Sequence, residues 1–325
     1  MGCGASTASR KDEFFIPSVK RAAAKGLKNC DQDDELPLGI LLTGGRKLRK
    51  DGFDGTGVKV AVIDSGIDEN HPGFGGKVTR KVWYRDGTPL KDDDHGTHVA
   101  GTIHLMAPKA DIYDYRVFGS KGSVGVTEAI AQAIRAAADV NCQLINMSLG
   151  GPVANPEIKS AVEYAASKGV IMVCAAGNEG DNNPLTNEIS YPAAYDLCIS
   201  IAAVQKKDGF PVAVFSNSNN EVDYSGIGVD VTSFKPGGGF QTMSGTSMAC
   251  PHACGLMACL VQKYGGTTDL RSKLTSSHTV DIGAEGIDTA TGIGFLTYLS
   301  EQGFDKLLPR KGKGGKNLTK AVTEQ

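Results

Sequence analysis

Gly245-Thr246-Ser247-Met248-Ala249-Cys250-Pro251-His252 opens a run of small and apolar residues that continues through Ala253, Gly255, Leu256, Ala258 and Leu260. The pattern predicts a buried helix starting near Ser247. A serine at the mouth of such a helix sits beside backbone N–H groups that lack intrahelical partners, at the positive end of the helix dipole. Those features suit a nucleophile whose attack creates an oxyanion. A lone Ser-Met-Ala would more simply cap a core helix, so the residues upstream have to decide between the two.

Val58 to Ile63 is an apolar, β-branched strand that ends in Asp64-Ser65-Gly66, an acid and a tight turn. Strand ends in open α/β sheets are where sites assemble, and an acid there can hold an imidazole. Asp94-His95-Gly96-Thr97-His98-Val99-Ala100-Gly101-Thr102 follows, with His95 as candidate base. His98 lies three residues on, so a metal-binding pair is the rival reading. Zinc proteases need a glutamate base within the motif and a third ligand, and neither is apparent. Residues 127–138 and 156–168 read as helices, and 143–148 as a strand ending in Ser148-Leu149-Gly150-Gly151. Gly122-Ser123-Val124-Gly125 offers a second glycine-rich edge, and two such edges suit an extended peptide added as a strand. Gly169 to Gly180 is a strand ending in a glycine-flanked amide, Asn178, which serves either a turn or a developing oxyanion.

Four blocks, Val-Ile-Asp-Ser-Gly (62–66), His-Gly-Thr-His-Val-Ala-Gly-Thr (95–102), Ala-Ala-Gly-Asn-Glu-Gly (175–180) and Gly-Thr-Ser-Met-Ala (245–249), together resemble the subtilisin family of serine proteases in their order Asp, His, Ser. Residues 35–40, 148–152, 172–180, 190–195 and 292–296 are similar to the intracellular subtilisins in particular, and the likeness spans roughly residues 13–299. It implies an α/β fold with a doubly wound, mainly parallel sheet and helices on both faces. It implies a serine endopeptidase in which Ser247 attacks, His95 takes its proton and Asp64 holds the imidazole. Asn178 would help form the oxyanion hole. Ser148, Leu149, Gly150, Ala175, Ala176 and Gly177 would wall the primary specificity pocket, with Ser190 near its floor. None of these is acidic, so an apolar or aromatic side chain is expected before the cleaved bond. Phe15, Ile16 and Pro17 match a family segment that lies across the active site until it is removed, which makes the chain's own N-terminal extension an inhibitor. Calcium is not needed for the chemistry, and the strong site of relatives is in doubt here. The loop after the His95 helix is missing, and Gly73 stands where a carboxylate is expected. A weaker cation site near residues 190–196 and Asp230 stays open.

A chain of 325 residues suits one large domain with extensions: an arm over 1–50, a catalytic domain over 51–300 and a basic, disordered tail over 301–325. The net charge of −2 argues for no nucleic-acid partner; protein and peptide substrates are expected, and a homodimer stays open. The eight cysteines match no zinc spacing and read as buried thiols of a reducing compartment. No apolar run nears the ~20 residues a transmembrane helix needs. Asn146-Met147-Ser148 is a glycosylation acceptor inside a strand, which favours cytoplasmic synthesis. Met1-Gly2-Cys3-Gly4-Ala5-Ser6 fits N-myristoylation at Gly2 with palmitoylation at Cys3, which would bring the protein to a membrane surface. Rival functions are a silent peptide-binding scaffold and a membrane-tethered processing protease for one partner. The first is weakened by the presence of all three triad candidates and the amide.

Overall fold

Val60-Ala61-Val62-Ile63 is apolar at every position because both of its faces are covered. Val60 and Val62 enter one core with Val99, Ile103 and Leu256, whereas Ala61 and Ile63 enter a second with Ile130, Ile134 and Val162. Such continuous runs mark the interior strands of parallel sheets. The computed structural model of the chain describes residues 14–16, 20–23, 36–86, 94–119, 121–122, 125–300, 303–304 and 307–308. Its strands are β1 (Lys20–Ala23), β2 (Lys59–Asp64), β3 (Val78–Trp83), β4 (Arg85–Asp86), β5 (Asp111–Arg116), β6 (Lys121–Gly122) and β7 (Leu144–Met147). They continue as β8 (Ile171–Ala175), β9 (Cys198–Val204), β10 (Tyr224–Ile227), β11 (Val231–Phe234), β12 (Phe240–Ser244), β13 (Thr279–Val280) and β14 (Phe295–Leu296). The α-helices are α1 (Leu38–Thr43), α2 (Gly45–Lys50), α3 (Asp94–Met106), α4 (Val126–Asp139), α5 (Pro156–Ser167), α6 (Thr246–Tyr264) and α7 (Leu270–Ser277).

One sheet runs β13-β14-β10-β9-β8-β7-β2-β5-β3, parallel throughout except at β13–β14. The helices α1, α3 and α6 pack on one face and α4 and α5 on the other, which is the doubly wound α/β arrangement expected. The chain lays down β5 on one side of β2 and returns as β7 on the other. The C-terminal end of β2, where Asp64 sits, is therefore a topological switch point.

The helix α6 is buried from Thr246 to Val261 and explains the run of small residues: Gly255 has no room for a Cβ, which would stand 2.5 Å from the Met106 Cβ of α3. The core also reaches upstream of residue 51, since Leu36, Ile40, Leu42 and Leu48 belong to it. The stretch near residues 18–28 has a helix-forming composition, but Lys20–Ala23 pair antiparallel with β12, from Lys20↔Ser244 to Ala23↔Gln241. A waiting strand edge outweighs a weak local helix preference.

Four histidines give the fold a pH limit. Burial pushes His98 down to about 3, and His104, His252 and His278 down to about 4. Below the ordinary histidine value of about 6.5 the unfolded chain takes up these protons and the folded chain does not, so stability is lost as pH falls. Burial acts oppositely on Asp114, raised to about 7, whose folded form binds a proton first and gains stability over the same interval. From pH 7 to pH 5.5 the four histidines cost about 5 kcal/mol and Asp114 returns about 2. The urea midpoint should therefore fall over this interval by the equivalent of about 3 kcal/mol; a constant or rising midpoint would contradict the assignment.

Candidate active site

The Asp64 carboxylate closes β2 with its side chain fully buried. Its Oδ1 accepts from His95 Nδ1 at 2.8 Å and from the Ser65 backbone N–H at 2.7 Å. The turn and α3 are latched together, because Ser65 Oγ accepts from the Gly96 N–H at 3.1 Å. Any side chain at 96 would be expelled, since a Cβ there would lie 2.3 Å from the Gly66 carbonyl oxygen. The other imidazole nitrogen of His95, Nε2, is buried without a hydrogen-bond partner among the described residues. His98 does not share a site with it. Its Nε2 donates to the Val231 carbonyl at 3.0 Å, and no cluster of three or more potential metal-binding side chains occurs among the described residues.

Ser247 is the second residue of α6. Pro251, four residues on, has no N–H to donate to the Ser247 carbonyl, so the helix leaves that oxygen open. Ser148 Oγ fills the gap, donating to it at 2.9 Å, while Asn146 Nδ2 donates to Ser148 Oγ at 3.0 Å. The Ser247 hydroxyl itself donates to the Ser148 carbonyl at 3.2 Å rather than to His95. Catalytic hydrogen bonds are often long or differently aligned in the absence of substrate.

Asn178 follows β8 and faces Thr246, whose N–H and hydroxyl donate to its Oδ1 at 2.8 and 2.9 Å. This orients the amide, with Nδ2 as its donor branch. Gly177 lies in the left-handed region (φ 113°), and a Cβ there would stand 2.2 Å from Asn217 Nδ2. Asn217 and Glu179 brace the loop: Asn217 Oδ1 accepts from the Glu179 N–H at 2.7 Å, and Glu179 Oε2 accepts from the Asn178 N–H at 3.0 Å. Ala175, Ala176, Ser148 and Leu149 are all buried at neighbouring strand ends. Ser190 lies beneath Gly150, where a Cβ would be 2.2 Å from Ser190 Oγ.

The N-terminal segment reaches this place. Phe15 and Gly150 exchange two backbone hydrogen bonds, of 2.8 and 3.0 Å, in antiparallel register. Phe14 is 5% exposed and packs in the core cluster that contains Leu149, while Phe15 is 39% exposed. The chain next appears at Lys20, paired with Ser244, three residues before Ser247. The segment thus lies on strand edges to either side of the helix mouth. Pro17, Ser123, Val124, Gly2, Cys3 and the tail beyond 308 lie outside the described residues, as do Cys3 and Cys30 among the cysteines; the other six are free and buried.

At the expected strong calcium position the residues do not fit the ion. The Phe234 ring occupies the space beside Gly73, with Cζ 2.4 Å from where a Cβ would be, and it stacks on His71 at 4.4 Å. Phe74 and His104 complete an aromatic cluster there. Near Asp230, Lys206 Nζ donates to the backbone carbonyl, which puts an ammonium beside the weaker candidate position.

An acid–imidazole pair and a serine-headed helix at the switch point of a parallel α/β sheet are parts that a serine hydrolase requires. The chain belongs to the subtilase family (Peptidase_S8), which its residues 55–304 match, and it is a subtilisin-like serine endopeptidase. It is 37% identical over 246 residues to the major intracellular serine protease of Bacillus subtilis (strain 168), covering 71% of this chain and 76% of that protein. It is 39% identical over 251 residues to the intracellular serine protease of Paenibacillus polymyxa, covering 73% and 76%. The solved structure of sphericase superposes with a TM-score of 0.68 at 34% identity, over 76% of this chain and 93% of that one. Thr246, Ser65 and Asn217 are given no role by the sequence, and Asn146 only that of a glycosylation acceptor. Only Thr246 carried a usable signal, as the neighbour of Ser247 in the Gly-Thr-Ser block.

Proposed function

We propose that Ser247 is the nucleophile, His95 its general base and Asp64 the group that holds the imidazole tautomer and stabilises the imidazolium. The observation that carries this is the buried 2.8 Å Asp64–His95 contact, whose imidazole keeps Nε2 buried and without a partner among the described residues. With Nδ1–H donated to Asp64, Nε2 is the basic nitrogen, able to take the Ser247 proton during attack and return it to the leaving amine. The Asn178 NH₂ and the Ser247 backbone N–H stabilise the oxyanion. Thr246 pre-orients Asn178, so little reorganisation accompanies the reaction.

Substrate adds as a strand between the Gly150 edge and the Gly122 edge, a reading supported by the antiparallel pairing of Phe15 with Gly150. Ser148, Leu149, Ala175, Ala176 and Gly177 surround the side chain before the cleaved bond, above Ser190. Glu179 stands nearby, with its Oε2 accepting from the Asn178 N–H and from Asn217 Nδ2. None of the wall residues is acidic, so apolar and aromatic residues are preferred. A panel of peptides differing only at that residue, offered to protein lacking its arm, should show kcat/KM for Phe or Leu at least about tenfold above Lys or Arg. A panel led by Lys or Arg would overturn this pocket assignment.

The arm, through Phe15, Ile16 and Pro17, inhibits in cis. The chemistry uses no metal, and the aromatic cluster at Phe234 replaces a calcium ion as the local brace. Both named relatives are intracellular proteases, which supports action inside the cell; acylation at Gly2 and Cys3 would then place the latent form on a membrane until the arm is cut.

A further inference from the structure

Trp83, the chain's single tryptophan, ends the edge strand β3, and neither the catalytic groups nor the pocket use it. Its indole Nε1–H donates to Asp114 Oδ2 at 2.7 Å, and Asp114 is fully buried on β5 beside the strand that carries Asp64. Two guanidinium groups lie over the indole, that of Arg80 at 3.8 Å and that of Arg116 at 4.7 Å from the ring centre. Arg116 is itself 1% exposed, donates from Nε to the Phe118 carbonyl at 3.0 Å and packs its stem against Gly66 in the turn after Asp64. A buried acid and a buried cation brought to one aromatic ring on a sheet edge are costly to assemble. Stability alone would be served by an apolar cluster.

The residues that follow Trp83 show what the anchor holds. The Tyr84 N–H donates to the Arg116 carbonyl at 3.0 Å, and Arg85 Nε donates to the Gly119 carbonyl at 3.2 Å. Arg85 and Asp86, the whole of β4, then pair antiparallel with β6, Arg85↔Gly122 and Asp86↔Lys121. Gly122 begins the second substrate edge. That edge is therefore backed by a partner strand, and the partner strand is pinned two residues upstream by Trp83.

We infer that Trp83 and Asp114 are positioning residues for extended peptide substrates: they anchor β4 so that β6 presents its edge to the residues upstream of the cleaved bond. This rests on the reading of Gly122 as a substrate edge. An edge already held in strand geometry loses less entropy when a peptide pairs with it than a lone loop does. The benefit reaches only substrates long enough to lie along β6. A substrate that fills the primary pocket and nothing else gains none.

The test compares an acyl-tetrapeptide anilide with an acyl-amino-acid ester of the same final residue, using protein freed of its arm. Trp83→Phe keeps the ring and removes the N–H donor. The ratio of kcat/KM for tetrapeptide over ester should fall about tenfold, with the change carried by KM for the tetrapeptide. Asp114→Asn keeps an oxygen acceptor for the indole and should hold the ratio within about threefold of the native value, whereas Asp114→Val should reproduce the Trp83→Phe loss. A native ratio in Trp83→Phe, or an equal loss on both substrates, would overturn the inference. If the unmodified protein itself gains nothing from the longer peptide, the substrate-edge reading fails first and takes the inference with it.

Discussion

Replacing Ser247 by alanine in protein freed of its arm is expected to lower kcat for peptide hydrolysis on the order of 10⁶-fold, the magnitude known for loss of the nucleophile in subtilisin. His95→Ala should cost about as much, and the double variant little more. Nucleophile and base act as one unit, so once either is gone the other has nothing to do. Asn178→Ala belongs to a different category. In the role proposed for it, its amide meets charge that exists only in the transition state, so kcat should fall on the order of 10²–10³-fold with KM nearly unchanged, as for the equivalent kind of donor in subtilisin. Because Asn178 Oδ1 is occupied by Thr246, the substitution also strands the Thr246 N–H and hydroxyl. Intact folding by circular dichroism is therefore part of the measurement. The proposed roles would be wrong if Ser247→Ala kept more than about a hundredth of native turnover, or if Asn178→Ala raised KM without changing kcat.

The four sequence blocks were legible because each carries chemistry that only a few residue types perform. They fall where β2, α3, β8 and α6 begin or end, and those boundaries announce themselves through apolar runs broken by glycine. The two-faced core was legible in the same way, since Val60 to Ile63 has no polar alternate position. What could not be read was how the pieces support one another. That Ser148 Oγ meets the Ser247 carbonyl depends on a hydrogen bond missing at Pro251, across 99 positions of sequence. The strand Lys20–Ala23 takes its conformation from β12, more than two hundred residues away, and its own residues favour helix. Trp83 and Asp114 look like an ordinary surface aromatic and a strand-edge acid until β3 and β5 lie side by side. In each case the decisive term is tertiary, and local propensity, worth under about 1 kcal/mol per residue, is overruled.

Full-length protein should be latent, and removal of residues 1–23 should raise hydrolysis of an apolar-site peptide on the order of 10³-fold. The estimate follows from tethering. A segment held in cis by a short linker acts at an effective concentration on the order of millimolar, so even a micromolar affinity leaves about one molecule in a thousand open. The contacts are adequate for that affinity: two backbone bonds at Gly150, the burial of Phe14 and the antiparallel pairing of Lys20–Ala23 with β12. The two halves contribute separately, so deletion of residues 1–19 alone should release less activity than deletion of 1–23, because β1 would still cover the β12 edge. Phe14→Asp offers a route without truncation. A carboxylate forced into a site now 5% exposed loses its hydration without gaining a partner, so the full-length variant should be active. A synthetic peptide spanning residues 12–23 should inhibit the truncated protein in trans, and weaken when Phe14 is replaced by Asp. Mass measurement of each sample must accompany the assay, since traces of released protein would cut the remaining arms. Equal activity in full-length, truncated and Phe14→Asp proteins, with the arm intact by mass, would show that these strand contacts leave the cleft open to substrate.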